Sequence, residues 1–318
     1  MNYDIFNGDA DGICSLHQLR LHQQIESTLV TGVKRDVNLL NKITPQEGDY
    51  ITVLDLSLDT NRTSLIQALD KGALVYYFDH HYAGEIPKSK NLEVHIDTSG
   101  EICTSLIVNG FLNGAFSVWA AVGAYGDNFY LAAERVVKSY SFSKAQNELL
   151  KELGTMLNYN GYGVSLDDLY FHPEELYWLV HQYEDPFAFI SEEKKYQVLI
   201  DGYKADMEQV SNITLNNTTK TTAVIQLPNA KWARRVSGVY GNKLARENPN
   251  RAHALLTELP DGGFRVSVRA PLTTRKNADI LCRQFITGGG RSAAAGINHL
   301  NEVDYDSFIE KFITIYSQ

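Results

Sequence analysis

Across the first 130 residues, short apolar runs alternate with stretches of helical spacing. The apolar, β-rich runs fall at 3–6, 28–33, 50–56, 73–78 and 94–96, and helical patterning covers 12–24, 60–71 and 101–112. Gly72 stands where the second of these helices would need its C-cap. Strands this apolar, separated by helices, predict a parallel sheet covered on both faces, and such sheets bind ligands beyond the carboxyl ends of their strands. Residues 131–200 read as mostly helical. Their rings, among them Tyr177, Trp178, Tyr183, Phe187 and Phe189, have a spacing that suits a packed interface better than base stacking. Ser165 to Asp168 has the form of a capping box. Asp185-Pro186 ends the aromatic stretch and is expected to begin the approach to a second domain. From about 201 the texture changes to strands at 222–227, 252–259 and 264–269, with Asp261-Gly262-Gly263 as a hairpin turn. A helix over 275–286, a glycine-rich segment over 288–296 and a closing helix near 304–316 complete the reading. The pattern therefore predicts an α/β protein in three segments. A parallel-sheet domain covers 1–130, a helical connector packed on it covers 131–200, and a smaller α+β domain covers 201–318.

Composition adds little to that picture, and charge adds more. The chain has 318 residues, 44% hydrophobic and 21% charged, which is ordinary for a globular protein with two cores. The start of the chain lacks a basic stretch followed by an apolar run, and no apolar segment approaches the ~20 residues that span a bilayer, so neither a signal peptide nor a membrane partner is expected. Cys14, Cys103 and Cys282 lie far apart, which argues for a reducing, cytoplasmic setting and against disulfides or a zinc ribbon. The net charge of −9 is uneven: residues 201–318 hold 15 Lys+Arg against 11 Asp+Glu, and residues 1–200 hold 14 against 27. The acidic half suits cations and the basic half suits a polyanionic substrate, whereas overall acidity speaks against a coat for long nucleic acid.

The chemistry concentrates where predicted strands end. Asn7-Gly8-Asp9-Ala10-Asp11-Gly12 follows one strand and precedes a helix, so its carboxylates sit two residues apart at a strand's carboxyl end. Oxygen donors this close suit hard divalent cations. The segment also fits the opening of a calcium-binding EF-hand, but the twelfth position holds Gln18 rather than Glu, and no helix precedes it. Asp55 follows the run 51–54, Asp79-His80-His81 follows 73–78, and Asp127 follows the apolar stretch 118–125. One Asp after an apolar element is usually a cap or turn former. Four such places, one with paired histidines, point to metal binding.

In this order the motifs resemble those of the DHH phosphoesterases: Asp-x-Asp-Gly, a lone Asp after the next strand, Asp-His-His, then Gly-x-x-x-Asp from Gly123 to Asp127. The likeness continues in Val266-Ser267-Val268-Arg269 and in Gly288-Gly289-Gly290-Arg291-Ser292-Ala293-Ala294-Ala295-Gly296, which are similar to the Ser-x-Arg and Ala-Ala-Gly elements of the DHH-associated C-terminal domain. The resemblance implies an active site between the two domains with two Mn2+ ions, or Mg2+ in their place. One ion would be held by Asn7, Asp9 and Asp55, the other by Asp11, Asp55, His80 and Asp127. Asp79 would orient the ligands, His81 would face the substrate, and Arg269, Gly288, Gly289, Gly290, Arg291 and Ser292 would grip phosphate. The glycine run followed by small residues at a helix start is also a natural phosphate seat.

Two positions depart from the resemblance. Relatives carry His or Asp where this chain has Asn7, so weak binding of one ion is expected, and Asn7→Asp is expected to tighten it. Arg291 stands where His is usual; a guanidinium keeps the phosphate grip and gives up proton transfer. The implied activity is hydrolysis of phosphodiester or terminal phosphate bonds in short oligonucleotides or phosphorylated nucleotides by metal-activated water. An exopolyphosphatase or other phosphoanhydride hydrolase is one alternative, and a low-activity regulatory protein that binds nucleotide or phosphate is another, motivated by Asn7. No additional nucleic-acid-binding module is evident, and the sequence leaves self-association into a homo-oligomer open. The histidines outside the motif, His17 and His253 among them, read as surface or satisfied structural residues, and Arg234 and Arg235 as a solvated face more readily than as further phosphate contacts.

Overall fold

The computed structural model of this chain describes residues 1–211, 213 and 219–317. They divide into two units, Met1–Asp201 and Gly202–Gln318.

In the first unit, β1 (Asn2–Phe6), β2 (Thr28–Val30), β3 (Tyr50–Leu54), β4 (Leu74–Asp79) and β5 (Leu92–Ile96) form one sheet in the order β2-β1-β3-β4-β5. Every neighbouring pair is parallel. The chain moves one way from β1 to β2 through α1 (Ala10–His22) and the other way from β3 to β4 through α2 (Leu58–Asp70). Right-handed crossovers in opposite directions place the two helices on opposite faces. The order reverses beside β1, and that reversal is where open sheets of this kind bind ligands, at the strands' carboxyl ends.

On the α2 face, Leu65 and Ala68 share a core with Ile5, Ile51, Val53, Val75 and Tyr77, together with Leu39 and Leu40 of a short 3-10 turn. Gly72 follows the last turn of α2 at φ +87°, the left-handed conformation that closes a helix cheaply only in glycine. On the other side, α1 packs against α3 (Thr104–Phe111), α4 (Ser117–Gly126), α6 (Lys144–Gly161) and α7 (Pro173–His181). Between α4 and α6 runs α5 (Tyr130–Val137), and α8 (Pro186–Glu192) follows α7. Tyr177 and Phe189 are fully buried, so much of the aromatic stretch is packing, although Trp178 is exposed.

Local details differ from the sequence reading. Ser165 makes no side-chain cap; instead Asp168 accepts the Val164 N–H at 2.8 Å, and the segment is a 3-10 turn. Asp185-Pro186 starts α8, with Asp185 capping Phe187 N at 3.0 Å and Pro186 in the first turn, so the break opens a helix rather than a linker. The change of unit comes within α9 (Lys194–Ser211).

The second unit holds β6 (Thr222–Leu227), α10 (Lys231–Glu247), β7 (Ala252–Glu258), β8 (Phe264–Arg269), α11 (Ala278–Cys282), β9 (Gly288–Gly290), β10 (Ala294–Leu300) and α12 (Tyr305–Tyr316). The sheet order is β6-β7-β8-β10-β9, with only β6 and β7 parallel. Alternation along β7 and β8 turns Ala254, Leu256, Val266 and Val268 toward Leu281, Phe308 and Phe312. The helix expected over 275–286 contracts to α11. The glycine run is not a helix start: Gly288–Gly290 is strand β9 in a hairpin with β10, closed by reciprocal backbone bonds between Arg291 and Ala294 at 2.9 and 3.1 Å. At Gly288 a Cβ would lie 1.7 Å from the Cys282 carbonyl oxygen, so glycine is needed for the close approach to α11.

Candidate metal centre

Five carboxylates (Asp9, Asp11, Asp55, Asp79 and Asp127) and two histidines gather at the carboxyl edge of the parallel sheet. Asn7 and Asp9 follow β1, Asp55 follows β3, and Asp79 ends β4 just before His80 and His81. Asp127 arrives differently: it caps the C-terminus of α4, so its apolar run is a buried helix and not a strand. Asp55 has φ +60°, a conformation costly outside glycine and better tolerated by Asp and Asn, and such strain clusters at functional sites.

His80 is the hub. Its Nδ1 hydrogen-bonds the Ile102 carbonyl at 3.1 Å, and that donation directs the Nε2 lone pair inward. Nε2 then lies 3.4 Å from Asp55 Oδ1, 3.5 Å from Asp127 Oδ2 and 3.9 Å from Asp11 Oδ2. These gaps are longer than hydrogen bonds. The first two match ligands about 2.1 Å from a shared ion, which stand roughly 3–3.5 Å from one another, and the Asp11 gap is a few tenths of an ångström wider. Asp11 is aimed by α3, whose first amides, Thr104 N and Ser105 N, donate to its two oxygens at 2.8 and 2.7 Å; a helix N-terminus favours such an anion. Thr104 Oγ1 donates to Asp55 Oδ1 at 3.1 Å. Burial pushes the Asp55 carboxyl well above its ordinary value, and the charges of Asp11 and Asp9 push it further, with His81 partly offsetting them and Asp127 adding to them. A cluster this anionic and this buried calls for a cation.

His81 is the half-buried member, with its side chain 32% accessible, and its Nδ1 bonds Asp79 Oδ1 at 2.7 Å. Asp79 is fully buried and holds the ring through that bond. Loss of that charge in Asp79→Asn is expected to weaken manganese binding at the cluster by about 10–100-fold. Calorimetric titration of manganese into the folded variant, confirmed by circular dichroism, checks the expectation.

No family model matches the sequence, and no curated protein matches it by sequence. The fold is nevertheless found in solved structures. An exonuclease RecJ bound to manganese superposes with a TM-score of 0.63 at 13% identity, over 100% of this chain and 90% of that one. RecJ from Thermus thermophilus in complex with Mn2+ gives 0.65 at 14% identity over 99% of this chain, which spans only 51% of that protein. A pGpG-specific phosphodiesterase, PggH, from Vibrio cholerae gives 0.51 at 15% identity, over 99% and 97% of the two chains. The chain has the fold of these RecJ structures.

Two cation positions were expected from the resemblance to the DHH phosphoesterases, and the residues gathered around His80 fit one of them. Asp11, His80 and Asp127 bring one ligand atom each to within 4.8 Å of one another, as do Asp55, His80 and His81. The other position does not fit as expected. Asp9 is committed: Oδ1 accepts the N–H groups of Asp11 and Gly12 at 3.0 and 3.1 Å and caps α1, while Oδ2 pairs with Lys34 Nζ. Asn7 donates Nδ2 to the Lys34 carbonyl at 3.3 Å and offers only a neutral oxygen. Burial opposes the charge of Lys34, but Asp9, Asp127 and Tyr162 more than offset it, so the ammonium is held well above its ordinary value.

In the second unit, Ser267 and Arg269 share one face of β8. Arg269 Nε donates to Asn242 Oδ1 on α10 at 2.7 Å, and its Nη1 to Ser267 Oγ at 2.9 Å. Arg291 is exposed at the β9–β10 turn, and Ser292 Oγ accepts the Asn277 N–H at 3.3 Å. Arg235 does not lie on a solvated face: it pairs with Asp206 at 2.7 and 3.0 Å. His17 is buried, packed edge-on to Trp119 and 3.1 Å from His181 Nδ1; burial and then the charge of His181 push it down to about 3. The residues that sequence reasoning passed over are Lys34, Asn158, Thr104 and Ser105. For Lys34 a signal existed, since it directly follows a predicted strand as the aspartates do.

Proposed function

We propose that this protein is a divalent-metal-dependent phosphoesterase that hydrolyses phosphodiester or terminal phosphate bonds of short oligonucleotides or phosphorylated nucleotides. One observation carries the reading: His80 Nε2 facing Asp11, Asp55 and Asp127 across gaps of 3.4–3.9 Å at the reversal point of a parallel sheet. The fold shared with manganese-bound RecJ and with a pGpG-specific phosphodiesterase supports the substrate class. Asp11, Asp55, His80 and Asp127 would hold the ion, which supplies Lewis acidity toward phosphate oxygens and water. Manganese is the metal proposed, with magnesium as its substitute. Asp79 accepts from His81 Nδ1, and in its doubly protonated form His81 would keep that bond while Nε2–H donates to a substrate phosphate oxygen. Arg269 and Arg291 are assigned to phosphate binding, and the guanidinium fork suits that role. Three buried free thiols accord with a cytoplasmic setting.

A second reading, a nucleotide- or phosphate-binding protein with weak chemistry, is favoured by the neutral Asn7 and by Lys34 beside Asp9. Purified protein with manganese should be offered a dinucleotide, 3′-phosphoadenosine 5′-phosphate, single-stranded DNA, pyrophosphate and polyphosphate. Cleavage of one or more of the first three is the expected result. Turnover of pyrophosphate or polyphosphate alone would move the assignment to a phosphoanhydride hydrolase. Calorimetric binding without turnover of any would favour the second reading.

A further inference from the structure

The place expected for a second cation is filled from within the chain. Lys34 Nζ donates to Asp9 Oδ2, to Asn158 Oδ1 at 2.9 Å and to Asp127 Oδ1 at 3.2 Å. An ammonium has three donors, and these are three acceptors. The side chain is only 20% accessible. Its backbone is tied on both sides, since Lys34 N donates to the Gly161 carbonyl at 2.8 Å and the Lys34 carbonyl accepts from Asn7 Nδ2 at 3.3 Å. The strand ends that carry the two residues are drawn together at Gly8, where a Cβ would meet the Gly32 carbonyl oxygen at 2.0 Å. A divalent ion at Asp9 would have to displace this ammonium or uncap α1, and Asn7 would contribute no charge toward either.

We propose that Lys34 takes the place of one of the two cations, so that the chain binds a single divalent ion, at Asp11, Asp55, His80 and Asp127. The inference rests on the metal centre of the proposed function and fixes its stoichiometry. Asn7 and Lys34 then form one device: the amide supplies the N–H that holds the lysine's carbonyl, which a carboxylate at position 7 would repel. An ammonium neutralises a carboxylate but has no vacant coordination position, so Lewis acidity is confined to the single ion.

The test is manganese stoichiometry of the full chain, by equilibrium dialysis with electron paramagnetic resonance. Saturation at one ion per chain with an uncoupled six-line spectrum is expected, and Asn7→Asp alone should leave it at one. The double variant Asn7→Asp, Lys34→Ala should take up two ions, with an exchange-coupled signal. Two ions in the unaltered chain would overturn the proposal and leave the metal centre standing. One ion in a folded double variant would also overturn it, because removing the lysine would then have opened nothing. No bound manganese at all would remove both this proposal and the metal-dependent reading. If the double variant does not fold, the count in the unaltered chain still decides.

Discussion

Asp55→Asn is expected to reduce manganese-dependent turnover by at least about 100-fold, beyond the usual cost of disturbing a ligand's supporting partner, and at the same time to stabilise the metal-free protein. The two effects have one cause. Asp55 is buried beside Asp11, Asp9 and Asp127, so its carboxyl is held well above the ordinary 3.8. Its proton binds more tightly in the folded chain than in the unfolded one. Stability is therefore fully present below pH 3.8 and is lost as pH rises through the raised folded value. Asn has no charge to lose, keeps an oxygen for the Thr104 hydroxyl, and tolerates the φ of +60°. At pH 7 the metal-free variant should gain about 1–3 kcal/mol, the scale of removing one poorly compensated buried group. In a unit of about 200 residues each kcal/mol is worth about 2–4 °C in Tm. The gain should shrink toward zero as pH falls to the ordinary carboxyl value. Thermal unfolding in chelator from pH 4 to 8, set beside turnover with manganese, measures both effects. A variant that loses activity and also melts lower at pH 7 would refute the link.

The aspartates and His80 were legible because their position follows from topology. A parallel sheet gathers the residues just beyond its strands, so spacing along the chain becomes proximity in space. Asp55, Asp79 and the 7–12 segment obey that rule directly, and Asp127 reaches the same place from the end of a helix. What could not be read was which oxygens remain available. Asp9 looks like a ligand in sequence, but one oxygen caps α1, as an Asp just before a helix often does, and the other pairs with Lys34, a bond with no local signature. Attention to anions alone hid Lys34, although it directly follows the apolar run 28–33 much as Asp55 follows the run 51–54. In the second unit, α10 escaped notice because the face it buries is small: Gly241, where a Cβ would lie 3.4 Å from Leu255, stands where a periodic pattern would show a large apolar residue. The glycine run misled for a related reason. Glycine before Ser and Ala suits a helix start and a tight hairpin equally, and only pairing with β10 decides between them.

Arg20→Met should cost the first unit about 3–5 kcal/mol, on the order of 10 °C in Tm, the usual loss when a buried charge is deprived of its partner. Arg20 Nε donates to Asp4 Oδ2 at 2.7 Å and Nη2 to Asp4 Oδ1, a two-pronged pair whose side chains are 8% and 1% accessible. Nη2 also reaches Thr52 Oγ1 at 3.3 Å, so one guanidinium ties α1 to both β1 and β3. After the substitution, Asp4 keeps only the Ser27 hydroxyl at 2.6 Å among its side-chain partners on the described residues. The companion variant Asp4→Leu, Arg20→Met removes both charges and should recover at least half of the loss, because an apolar pair carries no desolvation debt. Equal destabilisation in the single and double variants would mean that packing, not the stranded charge, sets the cost. The pair also bears on the metal centre: Arg20 lies toward the C-terminal end of the helix that Asp9 caps and on which Asp11 is carried. Loosening α1 weakens the placement of Asp11, while an ion bound only by the folded form returns stability, about 2.7 kcal/mol at 100 times its Kd. Manganese should therefore raise the Tm of Arg20→Met, but by less than it raises that of the unaltered chain. An equal rise in both would separate the helix anchor from the metal centre.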